Sequence, residues 1–458
     1  MTEHLLKLQK MKASRRRFLH SSTLVGAGTF FGFSPLESLA AKRKKISPND
    51  KIHYGVIGCN GMGWSNMRAH LAIDQVECVA LCDVDDSVLE RRAADVESAR
   101  GKKPKLYKDY RKLLEQDDID AVIIGTPDHW HCKMMVDALE AGKHVYVEKP
   151  AANTIEECNI MIKAAARYDK MVQVGQWQRS GAHYEKAIEL VRNHSLGKIR
   201  LVKVWAYQGW MNPIPVKADS TAPDGVDYKM WLGPAPKRPF NPNRFHFNFR
   251  WFWDYAGGLM TDWGVHEIDI ALYAMGASAP KSVMASGGKF AYPNDASETP
   301  DTLQAVFEYE DFNMLWEHAT GIDGGNYGRT EGIAFIGNKG TLVVNRGGWE
   351  LIPEQETKDG VRSYVIDALP KQNRPRNANY LQNHCRNFVD AMEKNDKSIL
   401  KCGIESGSIA AINAQMGNIA YKTGRKIYWD AAAGNFKNDK DANQLIKANY
   451  HNGWKVPR

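Results

Sequence analysis

From Ile52 the chain alternates short apolar runs with amphipathic stretches of about 10 to 15 residues. The runs are "IHYGVIG" (52–58), "ECVALCD" (77–83), "AVIIG" (121–125), "HVYVEK" (144–149) and "MVQVG" (171–175). Short runs with few polar breaks are strands buried on both faces, so the segment predicts a parallel, doubly wound α/β sheet. From Ile199 the pattern changes. "IRLVKVWAYQ", "SVMASGGKF", "DTLQAVFEYE", "FNMLWEHAT" and "GIAFIGNKGTLVVNRGGWELI" read as longer strands joined by Gly-rich turns, a mostly antiparallel open sheet. A Trp- and Pro-rich segment (Trp205 to Trp253) and a helical pattern beginning near Thr261 lie within this half. Two late helical patterns, Asn377 to Lys394 and Ile404 to Thr423, follow, and at least one is expected to pack back against the first lobe. No internal repeat is visible.

With 458 residues, 43% hydrophobic and 25% charged, the chain is ordinary globular material in about two lobes. The formal charge of +8 invites a nucleic-acid reading. Without the first 40 residues, which hold six basic and two acidic side chains, it falls to +4, and "KRKK" (42–45) accounts for that remainder. The folded body is therefore near neutral, and no nucleic-acid partner is expected.

The first 40 residues read as an export signal: "SRRRFLH" (Ser14 to His20), a short apolar run from about Thr23 to Phe33, then small residues at Ser38 and Ala40. Ser14-Arg15-Arg16-x-Phe18-Leu19 matches the twin-arginine pattern, and the apolar run is too short for a transmembrane helix. The expectation is a periplasmic protein with no membrane anchor, exported by the twin-arginine machinery. Seven cysteines, an odd number, with Cys59, Cys78, Cys82 and Cys132 in or beside apolar segments, suit a chain folded in a reducing cytosol before export.

The first strand runs into "GCNGMG" (58–63). A Gly-rich turn between strand and helix lets backbone N–H groups meet a pyrophosphate at the helix N-terminus. Gly58 and Gly63 match the first and third glycines of G-x-G-x-x-G; Asn60 replaces the second, and Gly61 and Met62 follow it. Asn tolerates positive φ better than most residues. Asp83 ends the second strand 20 residues past Gly63. A carboxylate there can accept from both ribose hydroxyls of NAD and repels the 2′-phosphate of NADP. The cofactor predicted is NAD.

"GTPDHWHCKMMVDALEAGKHVYVEKP" (125–150) places a lysine, Lys149, at the carboxyl end of a buried parallel strand, where open α/β sheets hold their ligands. In "DWGVHEID", a helix would set Asp262, His266 and Asp269 on one face. These stretches, with "VGQWQRS", "WLGPAP", "GGLMTDWGVHEID", "NHCRNFVDAM" and "GRKIYWD", resemble the glucose-fructose oxidoreductase, inositol dehydrogenase and rhizopine-catabolism (Gfo/Idh/MocA) family across nearly all of the chain after the signal. The resemblance implies an NAD-binding Rossmann domain over 51–180 after a linker at 41–50, then a substrate-binding and oligomerisation domain over 181–458. It also implies that the family's Lys, Asp and His triad falls on Lys149, Asp262 and His266. Thr126, Pro127, His131 and Glu148 would join Lys149 around the nicotinamide, and a homo-oligomer is the expected assembly.

Trp205, Trp210, Trp251, Trp253 and Trp263 fall in or near the second lobe, where they read either as platforms for a sugar ring or as packing. Trp253 is the candidate substrate contact among them. Gln176 and Arg179 read either as ligand contacts or as structural hydrogen-bonding groups. No Cys/His spacing suits a metal, and none is expected. The reading is an exported NAD-dependent oxidoreductase that oxidises a ring secondary hydroxyl of a sugar or glycoside, position 3 of a glucoside preferred. Its alternatives are a glycoside hydrolase that oxidises position 3 transiently and a catalytically silent sugar-binding protein.

Overall fold

The computed structural model describes residues 50–458, so the twin-arginine and cleavage signals and nearly all of the linker lie outside the described residues. The first lobe alternates strand and helix: β1 (Ile52–Ile57), α1 (Gly61–Leu71), β2 (Val76–Cys82), α2 (Asp86–Arg100), β3 (Lys105–Tyr107), α3 (Tyr110–Leu114), β4 (Ala121–Ile124), α4 (His131–Glu140), β5 (His144–Val147), α5 (Ile155–Tyr168) and β6 (Val172–Val174). The six strands form one parallel sheet in the order β3-β2-β1-β4-β5-β6, reversing direction of growth between β1 and β4. The third strand has no counterpart among the five apolar runs. It is a three-residue edge strand, exposed at Lys105, so no continuous apolar run is needed to form it.

Local chemistry sets the helix ends. Asp85 caps α2 by accepting from the N–H groups of Ser87 and Val88. Thr154 and Glu157 form a reciprocal capping box at α5: Thr154 Oγ1 accepts from Glu157 N, and Glu157 Oε2 accepts from the Thr154 hydroxyl and Asn153 N.

The second lobe begins with α6 (Ala182–Arg192) and β7 (Ile199–Gln208), then α7 (Tyr228–Leu232), α8 (Gly258–Asp262) and α9 (Gly264–Met275). Strands β8 (Ser282–Gly288), β9 (Thr302–Glu308), β10 (Asn313–Thr320), β11 (Glu331–Gly337), β12 (Gly340–Asn345), β13 (Gly348–Pro353), β14 (Gln355–Lys358), β15 (Val361–Tyr364) and β16 (Leu369–Asn373) follow. The chain closes with α10 (Tyr380–Lys394), α11 (Ile404–Thr423), β17 (Ile427–Asp430), β18 (Asn435–Phe436) and α12 (Lys440–Gln444). Ten strands form a mixed sheet in the order β16-β13-β12-β11-β7-β10-β9-β8-β17-β18, with β14 and β15 a separate hairpin. Every named pairing is antiparallel except β7 with β10.

One face of this sheet packs on α6, α9 and α11, so Val202, Val204 and Ala206 of β7 are buried while Leu201, just before them and pointing to the other face, is exposed. The two late helices complete the first lobe. Cys385, Phe388, Val389 and Met392 of α10 enter the core that holds β1, β2 and α1, and Ile404 and Ala411 of α11 enter the core on the other side of the sheet. All seven cysteines are free and buried. No helix among the described residues is long and apolar enough to cross a membrane.

Candidate active site

A cleft of about 530 Å³ opens at the carboxyl ends of β1, β2, β4 and β5. Its floor is the turn after β1, where Gly58 adopts φ +81. A Cβ on Gly63 would lie 1.9 Å from the Gly58 carbonyl oxygen, and one on Gly125 2.4 Å from the Gly63 Cα. Side chains at either position would push α1 off the sheet. Gly61, at φ +48, faces open space. Asn60 has φ −100, so the tolerance of Asn for positive φ is not what admits it here; Gly61 takes the left-handed turn instead.

Gly58, Asn60, Gly61 and Met62 line the cleft, whereas Gly63 is buried beneath it and acts through packing. Asp83 lines the cleft at the end of β2, where its carboxylate accepts from Cys59 N at 2.7 Å and Asp85 N at 3.2 Å. Burial pushes its pKa up and these two N–H groups oppose that. A left-handed turn open to the cleft, the N–H groups starting α1, and a carboxylate at the end of the neighbouring strand are the groups a dinucleotide needs, and they fit it.

Thr126, Pro127, Glu148 and Lys149 line the far end. Glu148 is buried and accepts from Asn66 Nδ2 at 2.7 Å. Lys149 Nζ donates to Asp262 Oδ1 at 2.7 Å and to the Asp262 backbone oxygen at 3.0 Å. Arg250 Nε donates to the same Oδ1 at 3.0 Å. Burial disfavours the charged form of Asp262, but the two cations outweigh it and hold the carboxyl well below its usual range.

The helix expected near Thr261 is broken at Trp263 into α8 and α9. Asp262, His266 and Asp269 nevertheless face one neighbour, the first-lobe edge formed by Lys149 and Gln176 to Arg179. His266 does not line the cleft. It lies buried beyond Asp262, edge-on to Trp177 at 5.5 Å between centroids, with Nδ1 unpartnered. Burial, Lys149 and Arg346 push its pKa far below the usual histidine value, against the pull of Asp262, so the ring is neutral.

Several residues picked out from the sequence are occupied elsewhere. Arg179 is a structural group: it pairs with Asp269 through two hydrogen bonds of 2.8 and 2.7 Å, both partners buried, and its guanidinium lies over Tyr273. Gln176 is buried and donates to the Val265 backbone oxygen. Trp253 lies outside the cleft, its indole N–H donating to the Glu298 backbone oxygen and its ring stacked under Lys422 at 3.8 Å. His131 is buried behind the cleft wall between the carbonyls of Pro150 and Thr126, where it positions both strand ends and touches no ligand space. Trp205 sits on the outer face of the second sheet, buried under Tyr327.

Other lining residues were not picked out from the sequence. Asp128, in "TPDHWH", is buried at the Lys149 end; burial pushes its pKa up to about 7 although Lys149 and Arg250 pull it down. Met230, Trp231, Phe245, His246, Phe247, Phe249 and Arg250 form a wall contributed by the Trp- and Pro-rich segment. His246 Nε2 lies 3.0 Å from Asp85 Oδ2, and the Trp130 indole N–H donates to the Trp231 carbonyl, fastening that wall to the first lobe. The density of aromatics in "RFHFNFRWFWD" is the sequence signal for this wall, but its target is a distant part of the chain.

Comparison with known proteins gives two family matches: an oxidoreductase family NAD-binding Rossmann fold over residues 52–176, and the oxidoreductase family C-terminal alpha/beta domain over residues 204–311. A glycosyl hydrolase family 109 protein of Shewanella pealeana is 32% identical over 204 residues, 41% of this chain and 45% of the relative. An alpha-N-acetylgalactosaminidase of Shewanella oneidensis is 32% identical over 201 residues, 40% of this chain and 44% of the relative. The matches thus span less than half the length of these curated relatives. Among solved structures, the aldose-aldose oxidoreductase of Caulobacter crescentus in complex with glycerol has a TM-score of 0.60 at 19% identity, covering 83% of this chain and 100% of that one. The WlbA dehydrogenase of Bordetella pertussis in complex with NADH and UDP-GlcNAcA has a TM-score of 0.60 at 18% identity, covering 83% and 99%.

Proposed function

The chain belongs to the Gfo/Idh/MocA oxidoreductase family, with an NAD-binding first lobe, and from this premise we propose that it oxidises a ring secondary hydroxyl of a sugar or glycoside, position 3 of a glucoside preferred. The observation that carries the reading is Lys149, which lines the cleft at the carboxyl end of β5 and is held from behind the cleft wall by Asp262. NAD, when bound, supplies the hydride acceptor. Lys149, held by Asp262, polarises the reacting hydroxyl oxygen. His266, next to Asp262 behind the cleft wall, is neutral and so has a ring nitrogen open to the hydroxyl proton, while burial, Lys149 and Arg346 make it a weaker base than an exposed imidazole. Arg250 keeps Asp262 ionised, so Lys149 never loses its counter-charge.

A second reading, redox-neutral glycoside cleavage through transient oxidation, elimination, hydration and reduction, has two specific supports. The Shewanella relatives are hydrolases by name, and Asp128 gives the cleft a carboxyl that titrates near neutrality, suited to moving a carbon-bound proton. The two readings separate on a supplied 3-keto glycoside. Oxidation alone predicts that the protein reduces it with NADH and leaves the glycosidic bond whole; rapid aglycone release, abolished by Asp128→Asn, establishes the hydrolase instead.

The reading extends to export in folded form by the twin-arginine machinery into the periplasm, supported by "SRRRFLH" and by seven buried unpaired thiols. Replacing Arg15 and Arg16 with Lys should retain the protein in the cytosol; unchanged export rejects this. It extends also to a homo-oligomer, supported by Leu201, Met284 and Ile352 exposed on the outer face of the second sheet, and light scattering in solution checks it.

A further inference from the structure

Beyond Phe247 lies a second cavity, of about 300 Å³, outside the dinucleotide cleft. Two large aromatic side chains stand at its mouth in contact with water, Trp210 56% and Phe247 53% exposed, with ring centroids 6.1 Å apart at 62°. Contiguous exposed aromatic area of this kind is rare on a soluble protein unless something covers it. Trp251 and Tyr292 continue the wall inward. Thr320 also lines the cavity; the residue is only 5% exposed, and its hydroxyl oxygen is buried with no hydrogen-bond partner. A buried hydroxyl left unpaired is unfavourable, and a ligand hydroxyl would satisfy it.

The charged groups at this cavity are already engaged. The Asp301 carboxylate accepts from the N–H groups of Phe290, Ala291 and Tyr292, and Asp295 pairs with Lys289 at 2.7 Å and accepts from Ile214 N. They brace the walls and leave an uncharged ligand to be held by aromatic faces and hydroxyl contacts. A pyranose matches this set, with a C–H face for Trp210 and hydroxyls for Thr320.

The cavity adjoins the reacting end of the cleft. Phe247 lines both spaces. The Arg250 guanidinium lies 4.8 Å from the Phe247 ring and donates to its carbonyl at 2.9 Å, while Arg250 Nε holds Asp262. We propose that this cavity is a second sugar subsite, which binds a neutral hexopyranose glycosidically linked to the ring placed at Lys149, so that the preferred substrates are di- or oligosaccharides. The assignment rests on the carbohydrate reading given above.

Steady-state rates on a panel of methyl hexosides, the matching disaccharides and the matching aryl hexosides, with the wild type, Trp210→Ala and Thr320→Val, test it. The wild type should favour disaccharides over methyl hexosides by about tenfold or more in kcat/KM. Trp210→Ala should remove about tenfold from the disaccharide value and leave the methyl hexosides within about twofold. Thr320→Val, equal in shape, should show a smaller loss, again confined to disaccharides. Equal wild-type rates on methyl hexosides and disaccharides, or a Trp210→Ala loss shared by both, overturns the subsite. Aryl hexosides that outrun disaccharides and respond to Trp210→Ala but not to Thr320→Val assign the cavity to an aromatic leaving group and overturn the sugar. If no member of the panel is oxidised or cleaved, the carbohydrate reading itself falls.

Discussion

Lys149 and Asp262 approach to 2.7 Å with 8% and 17% of their side chains exposed, and Arg250 completes a cation–carboxylate–cation row. His266 stands apart from that row, so the two residues should fail differently. His266→Ala should bind NAD normally by calorimetry and lose turnover by about 10² to 10⁴, the usual worth of a positioned base. Lys149→Ala should lose at least as much, and should also alter NAD affinity, because it removes a cation that lines the cleft and leaves Asp262 behind it without that partner. Equal NAD affinity and equal turnover loss in both variants would refute this division. Asp128 gives the pH signature. Its carboxyl holds its proton up to about 7, because burial raises the pKa, whereas an unfolded Asp ionises near about 3.9. A carboxyl raised by folding stabilises fully below the unfolded value, and that stability is lost as pH rises through 7. Asp128→Asn should therefore remove an inflection near pH 7 from kcat/KM and flatten the decline of the thermal midpoint across that window.

At the level of elements, the turn from β1 into α1 is the most constrained piece of the first lobe. The helix reaches the sheet only because Gly58, Gly63 and Gly125 bring three backbone segments together without side chains. Gly63→Ala places a methyl 1.9 Å from a carbonyl oxygen that has no flexible side chain to yield. The helix must tilt outward, at a cost of about 1 to 3 kcal/mol, and the N–H groups at its start lose their aim. The expected result is a lower thermal midpoint together with a loss of NAD affinity by titration. A variant with unchanged NAD binding would show that the approach is not needed.

Across the whole molecule, Arg179 from the end of the first lobe and Asp269 from α9 form a buried bidentate ion pair that joins the two lobes behind the cleft. Arg179→Met leaves Asp269 charged and buried without a partner, which should cost about 3 to 5 kcal/mol in denaturant unfolding. Arg179→Met combined with Asp269→Leu should recover most of that loss, because an apolar pair of similar volume replaces the charges. Were Arg179 a substrate contact instead, the single variant would keep its stability and lose only substrate affinity. The same lobe junction is served by α10 and α11, whose residues Phe388 and Ile404 fill first-lobe cores from the end of the chain.

The sequence by itself determined what local pattern can encode. Buried strands print as apolar runs and turns as glycines, so the parallel sheet, the mostly antiparallel sheet and the Gly58–Gly63 turn were legible, as was Lys149 at a strand's carboxyl end. The edge strand Lys105–Tyr107 was not, because a half-exposed strand of three residues carries no such print. Tertiary structure alone decided which side chains meet. Arg179 and Trp253 are as suggestive in one dimension as Lys149, yet Asp269 and Glu298, distant in the chain, claim them. Arg250 and the aromatic wall enter the cleft, and close over Asp128 at the end of β4, because a segment of the second lobe folds over the first. That approach is set by long-range packing, and so is the burial that leaves His266 neutral and raises Asp128 to about 7. A proton affinity depends on desolvation and on charges from remote segments, and neither is written in a residue's neighbours along the chain.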